Sequence, residues 1–467
     1  MANSLLDALR TRDNFTENGM TTNSSTLNAC VDLFFTIGAM RGQDKQRLLA
    51  NFSKAFNENP LTALRILFWV RDVRGGAGER QIFKDIMLYL VDNHTEALTK
   101  NLKHVSEYGR WDDLLVLFGT KLDKQVKEMI ATALNENNGL CAKWMPRKGK
   151  EAIALERFMG LKPKEYRKML VEKTKVVEQL MCANQWESVT YEHVPSLAMA
   201  RYSKAFDKHD QSRFSEYKTG DTKVNASAVY PYDVIKTLRY GDKDLSIKQW
   251  ESLPNYMLDN KELLLPVCDV SGSMTTPAGS NSNLTCMDVC ISLGLYISER
   301  NEGAFKDAFV TFSNTPQLQY LKGKLTDRFT QLENADWGMS TNLESVFNLV
   351  LNQAKKFNVP VTEMPTTILI MSDMEFNSAV GGSSLSALDI IREKYESAGY
   401  PMPKLVFWNI QSRNAGNYPV QVTDEGTALI SGFSPAILKS LLTGEDMSPI
   451  AIMNKTVNSP RYECIII

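Results

Sequence analysis

The sequence predicts a multidomain protein in which an all-α helical-repeat part precedes a doubly wound α/β domain. Between about residues 26 and 250, apolar residues recur at helical spacing between short turns, and strand-like alternation is scarce. After residue 260, short apolar runs rich in β-forming residues alternate with helical segments, which is typical of a largely parallel sheet covered by helices. These observations predict a helical domain over residues 1–255 and an α/β domain over residues 256–467.

The helical part carries clear apolar stripes. The stretch "TALRILFWVRDVRGG" places Leu64, Leu67 and Phe68 at helical spacing and stops at Gly75 and Gly76. "ERQIFKDIMLYLVDN" repeats the pattern, and similar stretches follow as far as "PSLAMARYSKAFDKHD". Because short turns join consecutive helices, we expect antiparallel helix pairs stacked as a HEAT-like solenoid, although no fixed sequence period is visible.

Five short apolar runs supply the strands of the α/β part. They are "LLLPVC" (263–268), "AFVTFS" (308–313), "TTILIMS" (366–372), "KLVFWNI" (404–410) and "TALIS" (427–431). Helical segments separate them: "SSLSALDIIREKYESAG" ends at a capping Gly399, and "SPAILKSLL" begins with Ser434 as N-cap. Strands that alternate with helices in this way predict a parallel sheet.

Composition and charge limit the classes of function. The chain has 467 residues, 43% of them hydrophobic and 23% charged, and a net charge of −1, so no whole-chain field favours nucleic acid. The first residues are charged where a signal peptide requires an apolar run, and no stretch approaches the roughly 20 apolar residues of a membrane span. We therefore expect a cytoplasmic monomer without a membrane segment.

Cysteine and histidine are sparse. Seven cysteines without a CxxC pair predict reduced thiols, and four scattered histidines argue against a zinc site or a histidine-based triad. The final "CIII" formally matches a prenylation signal at Cys464. The simpler interpretation of "YECIII" is a short β-prone run that completes a sheet.

Polar side chains follow two of the predicted strands. Asp269, Ser271 and Ser273 alternate in "CDVSGSM" after the first strand, Asp373 follows "TTILIMS", and Thr341 lies in the loop "WGMSTN". Since ligands of such sheets bind beyond the carboxyl ends of the strands, all five side chains can reach one edge. We call these five residues the oxygen cluster. Two carboxylates and three hydroxyls suit a hard divalent cation such as Mg²⁺.

Other interpretations of "CDVSGSM" fit less well. A nucleophile elbow requires glycine where Asp269 stands, a P-loop requires a GK[ST] end, and a phosphate-transfer aspartate would need a neighbouring acidic residue and a lysine. A plain turn, in which aspartate and serine cap the next helix, stays open for this motif taken alone. Thr341 and Asp373 at matching positions favour the metal site.

The pattern D-x-S-x-S, a later threonine and an aspartate at a strand end resembles the metal-ion-dependent adhesion site (MIDAS) of von Willebrand factor A domains. The resemblance covers about the last 205 residues and implies that the oxygen cluster holds Mg²⁺ or another divalent cation. "FVTFSNTPQ" and "ILIMSDMEF" are similar to the second and fourth strands of that fold. Met339, Ser340 and Met374 stand where that family often has glycine, but every ligand remains in place.

The stretches "RDVRGGAGER", "YGRWDDLL", "KWMPRKG", "HVPSLAMARYSKAF" and "YPYDVI" resemble the helical module of Ro/TROVE-like proteins. A helical-repeat module followed by a von Willebrand factor A domain is the Ro architecture. In that family the repeats close into a ring, and RNA binds the basic hole of the ring and its outer surface. The resemblance therefore implies a ribonucleoprotein in which the helical part binds RNA.

Residues 143–175, which we call the basic segment, carry a net charge of +7 from eleven lysines and arginines against four glutamates. Such a segment suits phosphate binding and predicts an affinity for RNA that falls with salt. The side chains that we expect to contact RNA are Lys143, Arg147, Lys148, Lys150, Arg157, Arg167 and Lys168. Trp144 and Tyr166 could stack on unpaired bases, whereas the alternative is a solvated helix face with buried aromatic residues.

The stretch "RDVRGGAGER" is a second candidate for phosphate binding. Its glycines could expose backbone N–H groups beside Arg71, Arg74 and Arg80. No strand precedes it, so we favour a helix–helix turn in which Arg71 and Asp72 form internal salt bridges.

The expected function is that of a non-enzymatic, intracellular, Ro-like protein that binds single-stranded or structured RNA ends on its helical ring. Its Mg²⁺ would dock an acidic group of a protein partner or hold only water. One alternative is a protein-interaction scaffold without RNA, in which the metal captures an acidic partner residue. Another is a metal-dependent hydrolase or nuclease, for which Glu375 is the only nearby candidate base.

Overall fold

The structure is a computed structural model that describes most of the chain. The described residues are 14–174, 176–221, 224, 226, 228–258, 260–279, 284–312, 316–335, 341–377, 387–414, 416–442 and 447–467. Met339 and Ser340, where the von Willebrand pattern has glycines, lie outside the described residues, and so do residues 313–315 of "FVTFSNTPQ".

The described residues form two compact units. The sheet unit contains the residues up to Ile66, Tyr230–Tyr232 and Asn255–Arg461. The helical unit contains Leu67–Val229, Asp233–Pro254 and Tyr462–Ile467. The sequence predicts a boundary at residue 255, which assigns residues 1–66 to the helical domain. In the structure, the described residues up to Ile66 belong to the sheet unit.

The chain is helical over most of residues 29–251, as the apolar periodicity predicts. The α-helices in this range are α1 (Ala29–Ile37), α2 (Lys45–Glu58), α3 (Pro60–Arg71), α4 (Gln81–Asn93), α5 (Thr95–Asn101), α6 (Val105–Tyr108), α7 (Asp123–Asn135), α8 (Gly139–Trp144), α9 (Lys150–Phe158), α10 (Pro163–Lys173), α11 (Val177–Cys182), α12 (Ser196–His209), α13 (Gln211–Thr219), α14 (Pro231–Tyr240) and α15 (Lys243–Glu251). Asn28, Asp44, Asn138 and Asp242 cap four of them by accepting a hydrogen bond from a first-turn N–H. Helix α3 contributes residues to both units.

The sheet unit contains a six-stranded, mostly parallel sheet. A small antiparallel hairpin, β1 (Asn14–Phe15) with β2 (Thr21–Thr22), precedes it in the chain. The six strands are β3 (Leu264–Cys268), β4 (Ala308–Thr311), β5 (Leu318–Tyr320), β6 (Thr367–Ser372), β7 (Lys404–Asn409) and β8 (Thr427–Ser431). Their spatial order is β5-β4-β3-β6-β7-β8, and only β5 is antiparallel to its neighbour. The five predicted strands are thus confirmed, and β5 is additional.

Helices alternate with these strands. They are α16 (Cys286–Arg300), α17 (Leu325–Glu333), α18 (Leu343–Phe357), α19 (Ala387–Ser397), α20 (Leu438–Leu442) and α21 (Pro449–Val457). The chain passes from β3 to β4 on one side and later returns to place β6 on the other side of β3. The switch point of this doubly wound order, where such sheets bind ligands, therefore lies between β3 and β6.

Helix α1 belongs to the sheet unit because it is bonded to the end of β8. The Ser431 hydroxyl donates to the carbonyl of Phe34 at 2.7 Å and accepts from the N–H of Gly38 at 3.1 Å. A Cβ atom at Gly38 would lie 2.8 Å from the Ser431 carbonyl carbon, so this close approach depends on glycine. Helix α1 therefore packs at the carboxyl edge of the sheet.

An aromatic cluster forms one core of the helical unit. The Tyr191 ring lies 5.2 Å from both the Phe206 ring and the Phe214 ring, and Tyr217 packs against the same group. Trp186 covers the edge of this cluster and stacks on His209 at a centroid distance of 4.5 Å. Such packed rings stabilise a unit beyond their burial alone.

The prediction of a closing strand at the C-terminus is wrong. The residues of "YECIII" form no strand, and Tyr462 ends a short 3-10 helix. The N–H of Ile466 instead donates to Asn101 Oδ1 at 3.1 Å, so this run packs on a helix end. All seven cysteines are free thiols, as predicted. Among the described residues, no helix combines the length and apolar character needed to cross a membrane.

Helix α16 approaches β3 closely at Gly294, where a Cβ atom would lie 2.4 Å from Cys268 Sγ. We predict that Gly294→Ala lowers the free energy of unfolding by about 1–3 kcal/mol, because the added methyl group overpacks this interface. Chemical denaturation of the purified chain measures the loss. Combining Gly294→Ala with Cys268→Ala removes the clashing sulfur and should recover most of it, so equal losses in the single and double variants would contradict the packing explanation.

Candidate functional site

Strand β3 delivers Asp269 to the carboxyl edge of the sheet. Asp269 follows the strand directly, its N–H donates to the carbonyl of Met371 at 3.0 Å, and its side chain is 0% exposed. Asp269 Oδ1 accepts a hydrogen bond from the N–H of Ser271 at 2.9 Å, and Oδ2 accepts one from the Ser372 hydroxyl at 2.5 Å. The strand register therefore places Asp269 beside the residue that precedes Asp373.

The two predicted serines connect the two aspartates. They lie at the start of a 3-10 turn, Gly272–Thr275, that follows Asp269. Their hydroxyl oxygens are 3.0 Å apart, and the Ser273 hydroxyl lies near enough to the Asp373 carboxylate to lower its pKa. Asp269, Ser271, Ser273 and Asp373 are therefore joined in one group at the switch point of the sheet.

Asp373 is 2% exposed and lies one residue beyond β6. Its Oδ1 accepts from the N–H of Glu375 at 3.3 Å. Its Oδ2 lies 3.0 Å from the Arg413 guanidinium, yet this ion pair lacks hydrogen-bond geometry, and no described residue donates a hydrogen bond to this oxygen. The next residue, Met374, has a φ of +66°, so the chain keeps a left-handed conformation at the position where the von Willebrand pattern has glycine.

Burial makes the two carboxylates costly in their charged form. It raises the pKa of Asp269 above its usual range, and the negative charge of Asp373 raises it further. Burial also raises the pKa of Asp373, although the Arg413 charge opposes that rise. Two buried neighbouring carboxylates, one with an unpartnered oxygen, together with two hydroxyls fit a hard divalent cation.

Thr341 stands apart from the other four members of the oxygen cluster. Its hydroxyl is buried and donates to the carbonyl of Glu375 at 3.0 Å, with Asn377 Oδ1 at 3.2 Å. Asn18 Nδ2 donates to the same hydroxyl at 3.3 Å. Thr341 is thus bonded to the loop that follows Asp373, two and four residues along the chain, and not to either aspartate.

Carboxylates alone would not hold a cation here. Among the described residues, no three histidine, cysteine, aspartate or glutamate side chains converge as a metal site. Asp269 and Asp373 are two carboxylates, so the serine hydroxyls and solvent would have to complete the shell of a bound ion. That composition is usual for Mg²⁺, which keeps several of its waters.

Sequence patterns do not single out Ser372 or Arg413 as residues of this site, and they indicate Glu375 only as a candidate base. Ser372 orients Asp269, and Arg413 balances Asp373. Glu375 is 2% exposed, and its carboxylate accepts hydrogen bonds from Glu17 N–H at 2.6 Å and Asn417 Nδ2 at 2.7 Å. Ser372 carries a weak signal as a hydroxyl that ends a buried strand, whereas Arg413 has none, since it lies 40 residues beyond Asp373.

A cavity of about 420 Å³ opens beside Asp373 within the sheet unit. Its polar lining includes Asp32, Arg47, Lys54, Asp373, Asn409 and Glu375. Asn409 is 3% exposed, and its Oδ1 has no hydrogen-bond partner among the described residues. Asp373 and Asn409, each with such a buried acceptor atom, therefore both line this cavity.

The helical unit exposes most of the predicted RNA-contacting side chains. Arg147, Lys148, Lys150, Arg157, Arg167 and Lys168 are exposed, and Lys143 is half-buried. Two acidic side chains lie near them at long ion-pair distances, 3.8 Å for Lys150 with Glu151 and 3.6 Å for Lys168 with Glu172. The basic segment therefore presents a positively charged surface, which either alternative from the sequence permits.

The two aromatic residues of the basic segment differ in exposure. Tyr166 is fully buried, burial raises its pKa, and its hydroxyl donates to the carbonyl of Pro146 at 3.3 Å. It is a core residue and has no free face for a base. Trp144 is half-buried, and the Arg110 guanidinium stacks over its ring at 3.7 Å. The same guanidinium pairs with Asp112 at 2.8 Å, so Arg110 adds a planar side chain beside the basic segment and little net charge.

The turn "RDVRGGAGER" is organised by a buried ion pair. Arg71 is 2% exposed and lies 2.7 Å from Asp113, which is 0% exposed. Asp113 also accepts hydrogen bonds from Arg80 Nε and the N–H of Arg110, each at 3.0 Å. The prediction of internal salt bridges is confirmed for Arg71, whose partner is Asp113. Asp72 accepts a hydrogen bond from the Tyr462 hydroxyl at 2.9 Å.

Comparison with known proteins gives the chain a family. The model described as Domain of unknown function (DUF2828) matches residues 16–138 and 123–262, and the one described as Domain of unknown function (DUF7788) matches residues 264–460. An uncharacterized protein of Acanthamoeba polyphaga mimivirus is 29% identical over 507 residues, covering 94% of this chain and 86% of the relative. The segments matched by the DUF2828 model extend over more than half of the sequence. The chain therefore belongs to the family of the domain of unknown function DUF2828.

Proposed function

We propose that the chain is a non-enzymatic, Ro-like RNA-binding protein whose sheet unit is a von Willebrand factor A-like domain with a divalent-cation site. The helical unit would bind RNA ends through its basic segment, as a HEAT-like ring does in the Ro family. The cation, Mg²⁺ or a similar ion, would dock an acidic group of a partner. The proposal of a metal site rests on the group of buried oxygens at the switch point between β3 and β6.

The donor set supports this assignment. Asp269, Asp373, Ser271 and Ser273 would hold the ion. Asp373 Oδ2 is a buried acceptor to which none of the described residues donates a hydrogen bond. The cation would supply a positive charge that offsets the cost of two adjacent buried carboxylates. Thr341 would join as a ligand only after its hydroxyl leaves the carbonyl of Glu375.

The charge of the helical unit supports RNA as its ligand. Exposed lysines and arginines of the basic segment can release counterions from phosphates. Arg110, which lies over Trp144 and pairs with Asp112, adds a planar side chain beside that surface, and such a side chain can also stack on an unpaired base.

A scaffold that binds two proteins and no RNA is the second candidate. The net charge of −1 and the polar cavity beside Asp373 favour it. In this version an acidic residue of a partner would reach the cation through the cavity. Binding would be lost on chelation, and no RNA would co-purify.

We predict that changing Lys143, Arg147, Lys148 and Lys150 to glutamate removes RNA from the protein. Crosslinking in cells, isolation of the chain and sequencing of the bound RNA compare this variant with the wild type. With a labelled single-stranded RNA, fluorescence anisotropy should show a salt dependence that is shallower by up to about 3 in log–log slope, since each lost phosphate contact removes roughly 0.7.

A matched variant changes four exposed lysines of the same unit, Lys103, Lys121, Lys124 and Lys204, to glutamate. It carries the same change in net charge outside the basic segment and should keep its discrete RNAs. Background RNA alone on the wild type would reject RNA binding and favour the scaffold. Equal losses in the two variants would reject the basic segment as the binding surface.

A further inference from the structure

Arg413 lies between two carboxylates of the sheet unit. Its Nη2 atom is 3.0 Å from Asp373 Oδ2 and 3.2 Å from Glu17 Oε2. The Asp373 side chain is fully buried, whereas that of Glu17 is 53% exposed. One guanidinium therefore balances a buried member of the oxygen cluster and a surface carboxylate at the same time.

The chain fixes Glu17 at this position. We call residues Thr16–Asn18 the N-terminal turn. The Thr16 hydroxyl donates to the carbonyl of Phe376 at 2.6 Å, and Asn18 Nδ2 donates to the carbonyl of Glu375 at 2.6 Å. The N–H of Glu17 donates to Glu375 Oε2 at 2.6 Å. These bonds attach the turn to the loop after β6. The backbone of Glu17 is therefore held in position, and its carboxylate lies beside Arg413.

The backbone of Arg413 is also fixed. The N–H of Ser412 donates to the carbonyl of Ala39 at 3.0 Å, and the Arg47 guanidinium donates to the carbonyls of Ser412 and Arg413. Arg413 Nε is buried and has no hydrogen-bond partner in the part of the chain that the structure describes. Hydrogen bonds thus hold the loop that carries the guanidinium. Among the described residues, Arg413 forms ion pairs with Asp373 and Glu17.

We propose that Arg413 is a tethered cation that competes with the divalent ion for Asp373, and that Glu17 weakens this competition by drawing Arg413 towards the surface. This inference rests on the proposed divalent-cation site. A guanidinium 3.0 Å from a ligand oxygen repels a metal ion and blocks one approach to that oxygen. Glu17 neutralises the guanidinium in part and offers it a second partner. The N-terminal turn therefore sets the metal affinity of a site formed by residues more than 250 positions away.

Mn²⁺ binding to the full chain tests the proposal, measured by electron paramagnetic resonance of the free ion and by calorimetry. Arg413→Gln should tighten Mn²⁺ binding about tenfold, since one opposite charge beside a carboxylate changes its cation affinity by at least that factor. Arg413→Lys keeps the charge and should stay within about threefold of the wild type. Glu17→Gln should weaken binding about threefold, because Glu17 is partly exposed and its effect is screened.

The double variant E17Q/R413Q tests whether Glu17 changes the metal affinity through Arg413, which we call the relay, or independently of Arg413. If Glu17 acts only through Arg413, the double variant should bind Mn²⁺ as tightly as Arg413→Gln alone. Arg392→Gln is the matched control, because Arg392 is an exposed arginine of the same unit and the change in net charge is identical. Its affinity should equal that of the wild type.

The outcomes separate this inference from the function on which it rests. Absence of Mn²⁺ binding in both the wild type and Arg413→Gln would overturn the metal site and the inference with it. Binding by the wild type that Arg413→Gln leaves unchanged or weakens would overturn the inference alone. Weaker binding on adding Glu17→Gln to Arg413→Gln would reject the relay. If Arg413→Gln does not fold, unchanged or tighter binding by Glu17→Gln still overturns the proposal.

Discussion

Asparagine at position 269 is expected to abolish divalent-cation binding while raising the stability of the metal-free protein. The carboxylate of Asp269 is fully buried beside that of Asp373, and both burial and this neighbour disfavour its charge. An amide of nearly the same shape keeps the contacts with Ser271 and Ser372 without the charge. The variant would lose an anionic ligand of the cation and gain stability in the metal-free state. Opposite effects on cation binding and on stability are expected of a residue that serves a metal site.

Thermal unfolding at pH 8, with 10 mM MgCl₂ or with EDTA, measures both effects. At a free ion concentration 100 times the dissociation constant, the wild type should gain about 2.7 kcal/mol from Mg²⁺, and Asp269→Asn should gain nothing. In EDTA the variant should be more stable than the wild type by about 0.5–3 kcal/mol, the ordinary size of a single-substitution effect.

Asp327→Asn is the matched control, because Asp327 is an acidic residue of the same unit that caps helix α17. It should lose a little stability and keep the full response to Mg²⁺. A response to Mg²⁺ retained by Asp269→Asn would contradict the assignment of Asp269 as a ligand. A loss of stability in EDTA would show that the carboxylate serves the fold and not an ion.

Local patterns predict that the two aspartates lie close together, because the ends of two strands determine their positions. Short, continuous apolar runs locate β3 and β6, and in a parallel sheet both strands end at the same edge. Asp269 and Asp373 therefore had to come close together once the two strands were neighbours. The same logic does not place Thr341, since its position depends on the path of a loop, and its hydroxyl is bonded to the carbonyl of Glu375.

Contacts distant in sequence account for what the patterns miss. Arg413 reaches Asp373 from the loop after β7, and Glu17 reaches both Arg413 and Glu375 from more than 350 residues away. Nothing in the local sequence of an arginine or a glutamate reveals such a partner. The nearly continuous apolar sequence of α1 likewise indicates that the helix is buried, but not that its partner is the end of β8.

The same limit applies to the basic segment. Tyr166 and Trp144 lie among lysines and arginines in the sequence, yet one is a core residue and the other carries a stacked arginine. Helical periodicity predicts burial of Tyr166 only when the neighbouring helices are known. The positive charge itself is readable from the sequence, because charged side chains of this density cannot be buried.

Alanine at position 113 is expected to lower the free energy of unfolding of the helical unit by about 3–5 kcal/mol, among the largest effects of any single change in this chain. Asp113 balances Arg71, whose guanidinium is 2% exposed, and it also bonds to Arg80 and to the N–H of Arg110. Removing the carboxylate leaves a buried cation without a partner. Calorimetry or denaturant unfolding of the variant measures the loss.

Asp112→Ala is the comparison that isolates burial as the cause. Asp112 is 16% exposed and also pairs with Arg80 and Arg110, so its removal should cost no more than about 1 kcal/mol. Similar losses for the two variants would contradict the explanation.

The pH dependence supplies a second, independent test of the Asp113 pair. Burial alone would raise the pKa of Asp113, but Arg71 and the hydrogen bonds around it hold the pKa below its usual value. A depressed pKa in the folded state contributes stability above the unfolded value of about 3.9, and this contribution is lost as the pH falls through the folded value. The stability difference between the wild type and Asp113→Ala should therefore be constant from pH 6 to pH 8 and shrink below about pH 4. A difference that persists undiminished in acid would mean that Asp113 acts through packing and not through its charge.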